Sequence, residues 1–433
     1  MITSIILGLG VLGIPLAFSR LGWVLGILAV GVGATGAVYS GLLIGRVVAT
    51  VTTLKQGARP KTYASLAGAC FGDLGSTVVR LIQHVFLAGA LVAVQMTAAK
   101  ALVQVLAFSN VTLCLVSSHA VVVAVMFPLM QVRQLSEATI IAVLGVLVIV
   151  VALVLYLAEL PRAHHNQSTG DDDELGMGFG PEASTGEATS ATTSAGFPPS
   201  SDGFKAAQAV TTILFAYQGQ TIFPEVISEM HRPSTFRKSV FSSVLLMTFI
   251  YTLVAAFGYH ALGADAEYLQ KWADENRSRS RSTTVANVML AIHVLSGYAI
   301  NGNVFNTTLL SLLVPAKLQS SRLAWATVAA TTLTGSFTLA NLVPGLDGLL
   351  SLVGAVCGTS LTFLIPASCA LKLNRMHALK MRSAEKMSHC IVILLALALL
   401  LFGSYSAGLG LLDDFNASSH PFSCGGSNNN TPT

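Results

Sequence analysis

Long apolar runs separated by short polar segments organise this chain. A helix needs about 20 predominantly apolar residues to cross a bilayer. Eleven runs approach or exceed that length, at 2–19, 22–48, 78–107, 113–131, 137–158, 204–228, 239–262, 284–313, 323–341, 346–371 and 388–411. The pattern therefore predicts an all-α polytopic membrane protein with eleven transmembrane helices, called spans 1–11 below.

Composition supports a membrane protein and gives no sign of an enzyme. The chain is 53% hydrophobic and only 10% charged, whereas soluble domains carry about 25% charged residues. No nucleophile–base–acid set and no metal-ligand spacing stands out in the sequence. We expect no catalytic activity, no cofactor, no metal site and no nucleic-acid partner, and we expect the lipid bilayer as the surroundings.

One long polar insert, at 161–203, separates five spans from six. It holds an acidic cluster, Asp171–Glu174, followed by a stretch rich in Gly, Ser, Thr and Pro. Such a composition cannot bury a core, so it predicts a disordered loop. The polar tail at 413–433 is expected to be disordered too, which leaves 1–412 as one transmembrane domain.

The distribution of charge predicts the orientation. Loops on the side that would hold the N-terminus carry most of the Lys and Arg residues, and such an excess marks the cytosolic side. The N-terminus is therefore expected in the cytosol. Sequons at Asn110, Asn166, Asn276 and Asn416 all fall on the opposite side, where they are candidate glycosylation sites.

Two of the six cysteines, Cys114 and Cys424, also fall on the predicted outer side. They are candidates for a disulfide, and two unpaired thiols are the alternative.

Span 1 contains residues that disfavour a helix in its interior. Gly8, Gly10, Gly13 and Pro15 lie mid-span, although an interior Gly costs about 1 kcal/mol against Ala and Pro about 3 kcal/mol. Unpaired backbone in a membrane persists only where it is buried in protein or lines a cavity. The spacing also matches the dinucleotide fingerprint G-x-G-x-x-G, but the strand and the nearby acid that it requires are missing, because the first acid is Asp73.

Span 6 carries a second interruption, which runs from Phe215 to Glu225 and includes Gly219 and Pro224. The two interrupted spans occupy matching positions before and after the insert. Paired broken segments indicate an inverted-repeat transporter with its binding site near mid-membrane.

Five segments, in order along residues 3 to about 371, resemble motifs of one family. They are Gly8–Trp23 (GLGVLGIPLAFSRLGW), Thr62–Gly72 (TYASLAGACFG), Phe215–Glu225 (FAYQGQTIFPE), Gly258–Gly263 (GYHALG) and Ala286–Tyr298 (ANVMLAIHVLSGY). The chain thereby resembles the amino acid/auxin permease family of the amino acid–polyamine–organocation superfamily. The resemblance implies eleven spans, a LeuT-like 5+5 inverted-repeat core with broken helices 1 and 6, and amino acid transport that is often proton-driven.

Two positions depart from the family pattern. Gln220 stands where the family usually has His, and Ser65 stands where its cytosolic loop usually has an acid. These departures leave the coupling ion and the cargo open.

The broken spans supply the candidate substrate site. Freed N–H groups near a half-helix N-terminus suit the carboxylate of an amino acid, and close helix packing is the alternative reason for the glycines. The resemblance implies that carbonyls of span 6 face the ammonium group. Tyr217 either caps the cargo or packs in the core. The predicted binding residues are Gly8, Leu9, Gly10, Val11 and Gly13 in span 1, and Phe215, Ala216, Tyr217 and Gly219 in span 6.

Three residues are candidates for ion coupling: Glu225, His293 and Gln220. Glu225 is a carboxylate within a span, which marks function by default, and a satisfied structural hydrogen bond is the alternative. His293 lies mid-span 8 and either relays protons or packs with its ring hydrogen-bonded. For sodium, Ser4, Thr307 and Thr308 offer oxygen ligands.

The sequence therefore predicts a secondary active amino acid transporter that works by alternating access and is coupled to protons. Its partners are the amino acid and the co-transported proton, with sodium as the less favoured ion. An amino acid receptor on the same fold, marked by a long cytosolic tail, and a channel are the rivals. The family resides in plasma membranes and in vacuolar or lysosomal-type membranes, and both locations stay open.

Overall fold

The structure is a computed structural model that describes residues 8–133, 138–170, 193–198, 203–266, 269 and 280–417. Every regular element in these residues is helical. The α-helices are α1 Ile14–Leu54, α2 Tyr63–Phe108, α3 Leu115–Leu129, α4 Ala138–Gly170, α5 Gly203–Ala216, α6 Phe223–Glu229, α7 Phe236–Leu262, α8 Arg281–Leu313, α9 Arg322–Leu342, α10 Leu346–Val353, α11 Ile365–Arg375 and α12 Ser383–Ala417.

The described residues contain eight helices that are long and apolar enough to cross a membrane. This confirms the all-helical polytopic class, while the number differs from eleven at three places. Spans 1 and 2 fall within one unit, Leu9–Leu54, and span 4 is the 15-residue helix α3. Span 6 is divided into α5 and α6, each too short to cross alone.

Helix α1 joins spans 1 and 2 across a kink at Gly22. This residue has φ 74° and ψ 179°, a backbone conformation that L side chains rarely adopt. A segment of the polar insert packs here, since an ideal Cβ on Gly22 would lie 1.9 Å from the Gly196 carbonyl oxygen. Trp23 N–H donates to Ser194 O (3.0 Å) and Val24 N–H donates to Ala195 O (3.1 Å), so residues 193–198 satisfy the backbone where the helix resumes.

These contacts concern a segment that the sequence predicts to be disordered. Of the stretch 161–203, the structure describes α4 as far as Gly170, then 193–198, then the start of α5 at Gly203. Helix α12 likewise extends to Ala417, past residue 413. Disorder stays a prediction for the remainder, which lies outside the described residues.

The helices pack into two groups that meet at the centre. Helix α1 packs mainly on α5 and α7, and α8 packs mainly on α2 and α4. One large apolar core runs through both groups. This arrangement places the interrupted segments of spans 1 and 6 side by side, with α2 and α8 close by.

Basic side chains gather at one end of the bundle, where α1 ends and α2 begins, which we call the basic end. Hydrogen bonds join its loops: Arg59 donates to Met230 O (3.1 Å) and Arg133 donates to Gln319 O (2.8 Å). The predicted cytosolic loops therefore lie together at this end.

Candidate functional site

The two interrupted segments touch each other. Gly8 is extended (φ −105°, ψ −156°) and leads into a 3₁₀ turn, Leu9–Gly13, whose residues are all buried. An ideal Cβ on Gly10 would lie 2.5 Å from the Cα of Ala216, the last residue of α5. The structure thus brings the predicted binding residues of spans 1 and 6 together. At Gly10, close backbone approach is the visible reason for glycine.

The carbonyl groups proposed to face an ammonium group already accept hydrogen bonds. Ala216 O accepts from the Tyr251 hydroxyl (2.7 Å), Phe215 O from Gln218 N–H (2.9 Å) and Tyr217 O from Gly219 N–H (3.0 Å). A carbonyl oxygen has two lone pairs, so each retains capacity for one further donor.

The Tyr217 side chain packs among α1 and α7. Its hydroxyl donates to Thr248 Oγ1 (3.0 Å), and its ring meets the ring of Tyr251 edge-on at 5.0 Å. Gly33 leaves the room, because an ideal Cβ there would lie 2.7 Å from the Tyr217 ring. Packing therefore accounts for the placement of Tyr217, and a capping role stays a prediction.

A polar layer surrounds the interruption in span 6. Gln220 is fully buried. Its Nε2 donates to Ala37 O at a long 3.4 Å, and its Oε1 accepts no hydrogen bond from any described residue. Gln218 Nε2 donates to Gly354 O (3.2 Å), and this side chain fills the space beside Gly358. Two buried glutamines thus face α1 and span 10.

Span 10 is itself irregular beside these glutamines. Between α10 and α11 the backbone forms two π turns, 354–358 and 360–364. Such turns are rare and recur at functional sites. The hydropathy pattern does not predict them. The signal that the sequence does contain is Gly354 and Gly358, one helical turn apart, because at both positions the neighbouring side chains Phe215 and Gln218 occupy the space of a Cβ.

Glu225, in the first turn of α6, bonds to α2 through one oxygen only. Its Oε1 accepts from Tyr63 N–H (2.9 Å) and from Gln83 Nε2 (2.9 Å). Gln83 Nε2 also donates to Thr221 O (2.9 Å), and the Tyr63 hydroxyl donates to Leu361 O (2.6 Å) in the second π turn. Glu225 Oε2 is buried and has no hydrogen-bond partner within the described parts of the chain. A purely structural hydrogen-bonding role, the alternative to ion coupling, therefore accounts for only one of the two carboxylate oxygens of Glu225.

Glu225 lines a polar cavity of about 600 Å³ at the basic end, which we call the polar cavity. Helix α8 contributes Asn303, Thr307 and Thr308, and the helix α2 side contributes Gln83 and Arg80. The structure thus places two of the predicted oxygen ligands for a cation, Thr307 and Thr308, in the same cavity as Glu225. Ser4 lies outside the described residues.

His293 is buried between α8 and α4. Its Nδ1 donates to Gly145 O across 2.9 Å. His293 is therefore a packed, hydrogen-bonded side chain, as the alternative interpretation expects. A role in proton relay stays a prediction. Within the described residues, no group of three or more His, Cys, Asp and Glu side chains is arranged to hold a metal ion.

The predicted outer sites differ in how far they are described. Asn110 is exposed in the turn after α2, and Asn416 is exposed near the end of α12. Asn166 lies on α4 without a described side chain, and Asn276 lies outside the described residues.

Cys114 is disulfide-bonded, so the alternative of an unpaired thiol is wrong for this residue. Its candidate partner, Cys424, lies outside the described residues.

Comparisons with known proteins agree with the motifs. The family model for transmembrane amino acid transporter protein matches residues 1–409. Three relatives from Arabidopsis thaliana are similar to the chain. Amino acid transporter AVT1B is 22% identical over 47% of this chain and 36% of its own length, and amino acid transporter AVT1J is 27% identical over 39% of each. Amino acid transporter ANT1 is 22% identical over 94% of this chain and 90% of its own length. The matched regions therefore span less than two fifths of AVT1B and of AVT1J.

Proposed function

Because the chain belongs to the transmembrane amino acid transporter family, we propose that it carries amino acids across a membrane by alternating access, driven by protons. The main support for a proton as the coupling ion is Glu225 Oε2. This buried carboxylate oxygen lies at the wall of the polar cavity and has no hydrogen-bond partner among the residues that the structure describes. An ionised carboxylate is costly within a membrane span, so this oxygen is a favourable place for a proton.

Protonation of Glu225 would act on the contacts of its other oxygen. Hydrogen bonds to a charged acceptor are roughly twice as strong as those between neutral groups. A proton on Oε2 removes that charge, which weakens the bonds from Tyr63 N–H and Gln83 Nε2 to Oε1. Helix α6 is then freer to move away from α2. Proton binding is thereby coupled to the movement of one interrupted segment.

The amino acid is proposed to bind beside the contact of Gly10 with Ala216. The N–H groups in the first turn of a helix have no acceptor within that helix, so the turn at Leu9–Gly13 suits the carboxylate. The remaining lone pairs of the Phe215, Ala216 and Tyr217 carbonyls suit the ammonium group. The contact of Gly10 with Ala216 leaves no space between the two segments at that point. The carboxylate and the ammonium group of the amino acid are therefore proposed to bind on the same side of this contact.

The proposed architecture has eleven spans in a LeuT-like 5+5 inverted repeat, with spans 3 and 8 as side walls of the site. Its support is the kink at Gly22, which divides α1, the short apolar helix α3, and the division of span 6 into α5 and α6. The N-terminus and the basic end are proposed to face the cytosol. Asn110 and Asn416 then face the opposite side as glycosylation sites, in a plasma or vacuolar-type membrane.

Uptake into proteoliposomes tests the proposal. The purified full chain is reconstituted and supplied with labelled amino acids, with and without an imposed pH gradient. We expect accumulation above equilibrium only with the gradient. Glu225→Gln keeps an acceptor oxygen but cannot titrate, so it should lose at least about tenfold of the driven accumulation, a change of about 1.4 kcal/mol, and retain exchange without a gradient.

The matched control is Glu385→Gln. Glu385 is a half-exposed acid whose ion pair with Arg46 spans 3.7 Å, and such surface pairs contribute little. It should transport like the unmodified protein. Full gradient-driven uptake by Glu225→Gln would exclude Glu225 as the coupling group, and dependence on sodium alone would exclude protons. Specific binding without accumulation would identify a receptor, and flux that ignores both gradients would identify a channel.

A further inference from the structure

A second cavity of the described residues lies between the end of α8 and the start of α9. This open groove, which we call the apolar groove, has a volume of about 460 Å³ and is lined mostly by aliphatic side chains. Leu309, Leu313 and Val314 contribute from the α8 side, and Leu323 and Val328 from the α9 side. Leu313 and Leu323 are 66% and 77% exposed, so the described residues leave these apolar surfaces uncovered.

The polar groups around the apolar groove are satisfied from within. The hydroxyls of Thr327 and Thr331 donate to the carbonyls of Leu323 (3.0 Å) and Thr327 (2.9 Å) in their own helix. Gln319 Nε2 donates to Val314 O at the end of α8 (2.9 Å). Each of these groups therefore already donates a hydrogen bond within the protein.

The floor of the apolar groove is a packed cluster of its own. Leu310, Trp325 and Val328 form a small buried core separate from the main one. Trp325 Nε1 donates to Met130 O (2.8 Å), and the Arg133 guanidinium lies 5.4 Å from the centre of the Trp325 ring. The groove is thus formed in advance rather than by movement of loose side chains.

Positive charge lies at the rim of the apolar groove. Lys317, in the segment between the two helices, and Arg322, at the start of α9, are both exposed. Neither has an ion-pair partner among the described residues. The groove begins at this basic rim and follows α9 from Leu323 to Thr331, which is about 12 Å at 1.5 Å per residue.

We propose that the apolar groove binds one anionic phospholipid, with an acyl chain along α9 and the headgroup phosphate at Lys317 and Arg322. An open groove within the bilayer is filled by lipid chains, because an empty one forfeits dispersion contacts. Basic clusters beside the membrane select anionic headgroups. The site does not depend on the transport proposal, since the groove and its cations lie at the same end in either orientation.

Fluorescence of Trp325 tests the proposal. The full chain has three tryptophans, so Trp23→Phe with Trp272→Phe leaves Trp325, in the groove floor, as the single tryptophan. This protein is placed in phosphatidylcholine vesicles, and phosphatidylserine or phosphatidylcholine with brominated chains is titrated in as a contact quencher. We expect saturable quenching, with phosphatidylserine half-saturating at about 30-fold lower mole fraction, which corresponds to two interfacial cations.

Variants separate the headgroup from the groove. Lys317→Gln with Arg322→Gln should reduce the preference to about onefold, and it should leave the fold intact because both residues are exposed. Arg237→Gln with Lys238→Gln, two exposed cations at the start of α7, is the matched control and should keep the full preference.

Four results would overturn the proposal. One is equal half-saturation by the two lipids, and another is an unchanged preference after removal of Lys317 and Arg322. Full competition by soluble glycerophosphoserine would show that a free anion suffices without an acyl chain. Efficient disulfide formation between Leu323→Cys chains in the same vesicles would place a second copy in the groove instead of a lipid, and so would also refute it.

Discussion

Helix α8 ends between two cavities of opposite chemistry. Asn303, Thr307 and Ser311, spaced four residues apart, line the polar cavity, whereas Leu309 and Leu313 line the apolar groove. Two residues further along a helix is about 200° around its axis, so the two sets lie on nearly opposite sides. In the polar cavity Glu225 keeps one oxygen without a partner, while the threonine hydroxyls at the apolar groove donate to their own helix.

The opposite chemistry of the two cavities separates an aqueous surface from a lipid-facing surface within the width of one helix. Unmet hydrogen-bonding capacity is costly in lipid and inexpensive beside water. The wall that retains such capacity is therefore the one suited to a proton or a polar cargo. The wall whose hydroxyls already donate to their own helix is suited to an acyl chain.

The largest effect is expected from Trp325→Ala, which removes the floor of the apolar groove. Truncation of a buried Trp costs about 3–5 kcal/mol through lost packing and the cavity left behind, and it also leaves Met130 O without its donor. We expect a markedly lower thermal unfolding midpoint in vesicles. Phe241→Ala, at a side chain that is 58% exposed, is the control and should change stability little. Equal small effects for the two variants would contradict a packed floor.

A smaller loss is expected from Gln83→Leu, which alters the wall of the polar cavity. The variant removes the donor to Glu225 Oε1 and to Thr221 O, and a buried acceptor left unsatisfied costs about 1–3 kcal/mol. The unfolding midpoint should fall, and proton-driven uptake should fall with it. Gln131→Leu is the matched control, because its amide makes one exposed bond, to Phe127 O (3.0 Å). Stability equal to that of the control would show that the Glu225 network contributes nothing.

The smallest effect is expected from a pair of exchanges on α8 itself. Thr307→Val removes a hydroxyl from the polar cavity and keeps the shape of the side chain, whereas Leu309→Thr adds a hydroxyl to the apolar groove. One neutral hydrogen bond contributes about 0.5–1.5 kcal/mol, so Thr307→Val should slow amino acid uptake by roughly 2–10-fold. Leu309→Thr should leave uptake unchanged and weaken quenching by brominated phosphatidylserine. A reversal of these two results would mean that the cavities have been assigned the wrong roles.

Much of the fold could be predicted from local sequence. Hydropathy located the helices, and glycine with proline located the interruptions in spans 1 and 6. Prediction was incomplete at single turns. At Gly22 a single residue with φ 74° lets the helix resume almost at once, so the boundary between predicted spans 1 and 2 is a kink rather than a connecting loop. The π turns at 354–358 and 360–364 could not be predicted, because span 10 is apolar and largely buried, so the shift in periodicity that a π turn causes leaves no mark in the sequence.

The candidate site divides in the same way. The pairing of the two interruptions followed from their matching positions, and the contact of Gly10 with Ala216 agrees with it. The partners of Glu225 could not be predicted, because Tyr63 and Gln83 are 162 and 142 residues away along the chain. A single sequence carries no signal for such distant pairs. Local pattern thus identified Glu225 as a candidate and left its neighbours unknown.

The hydrogen bonds at Gly22 have a practical consequence for watching this protein work. Trp23 and Val24, just past the kink at Gly22, donate to Ser194 O and Ala195 O, and Ser194 N–H also donates to the Tyr259 hydroxyl on α7 (2.8 Å). Any rearrangement of α1 at this point must either move residues 193–198 with it or break these hydrogen bonds. A binding protein or fluorophore directed at 193–198 would therefore report the conformation of the buried kink at Gly22 from the exposed surface, without entering the membrane.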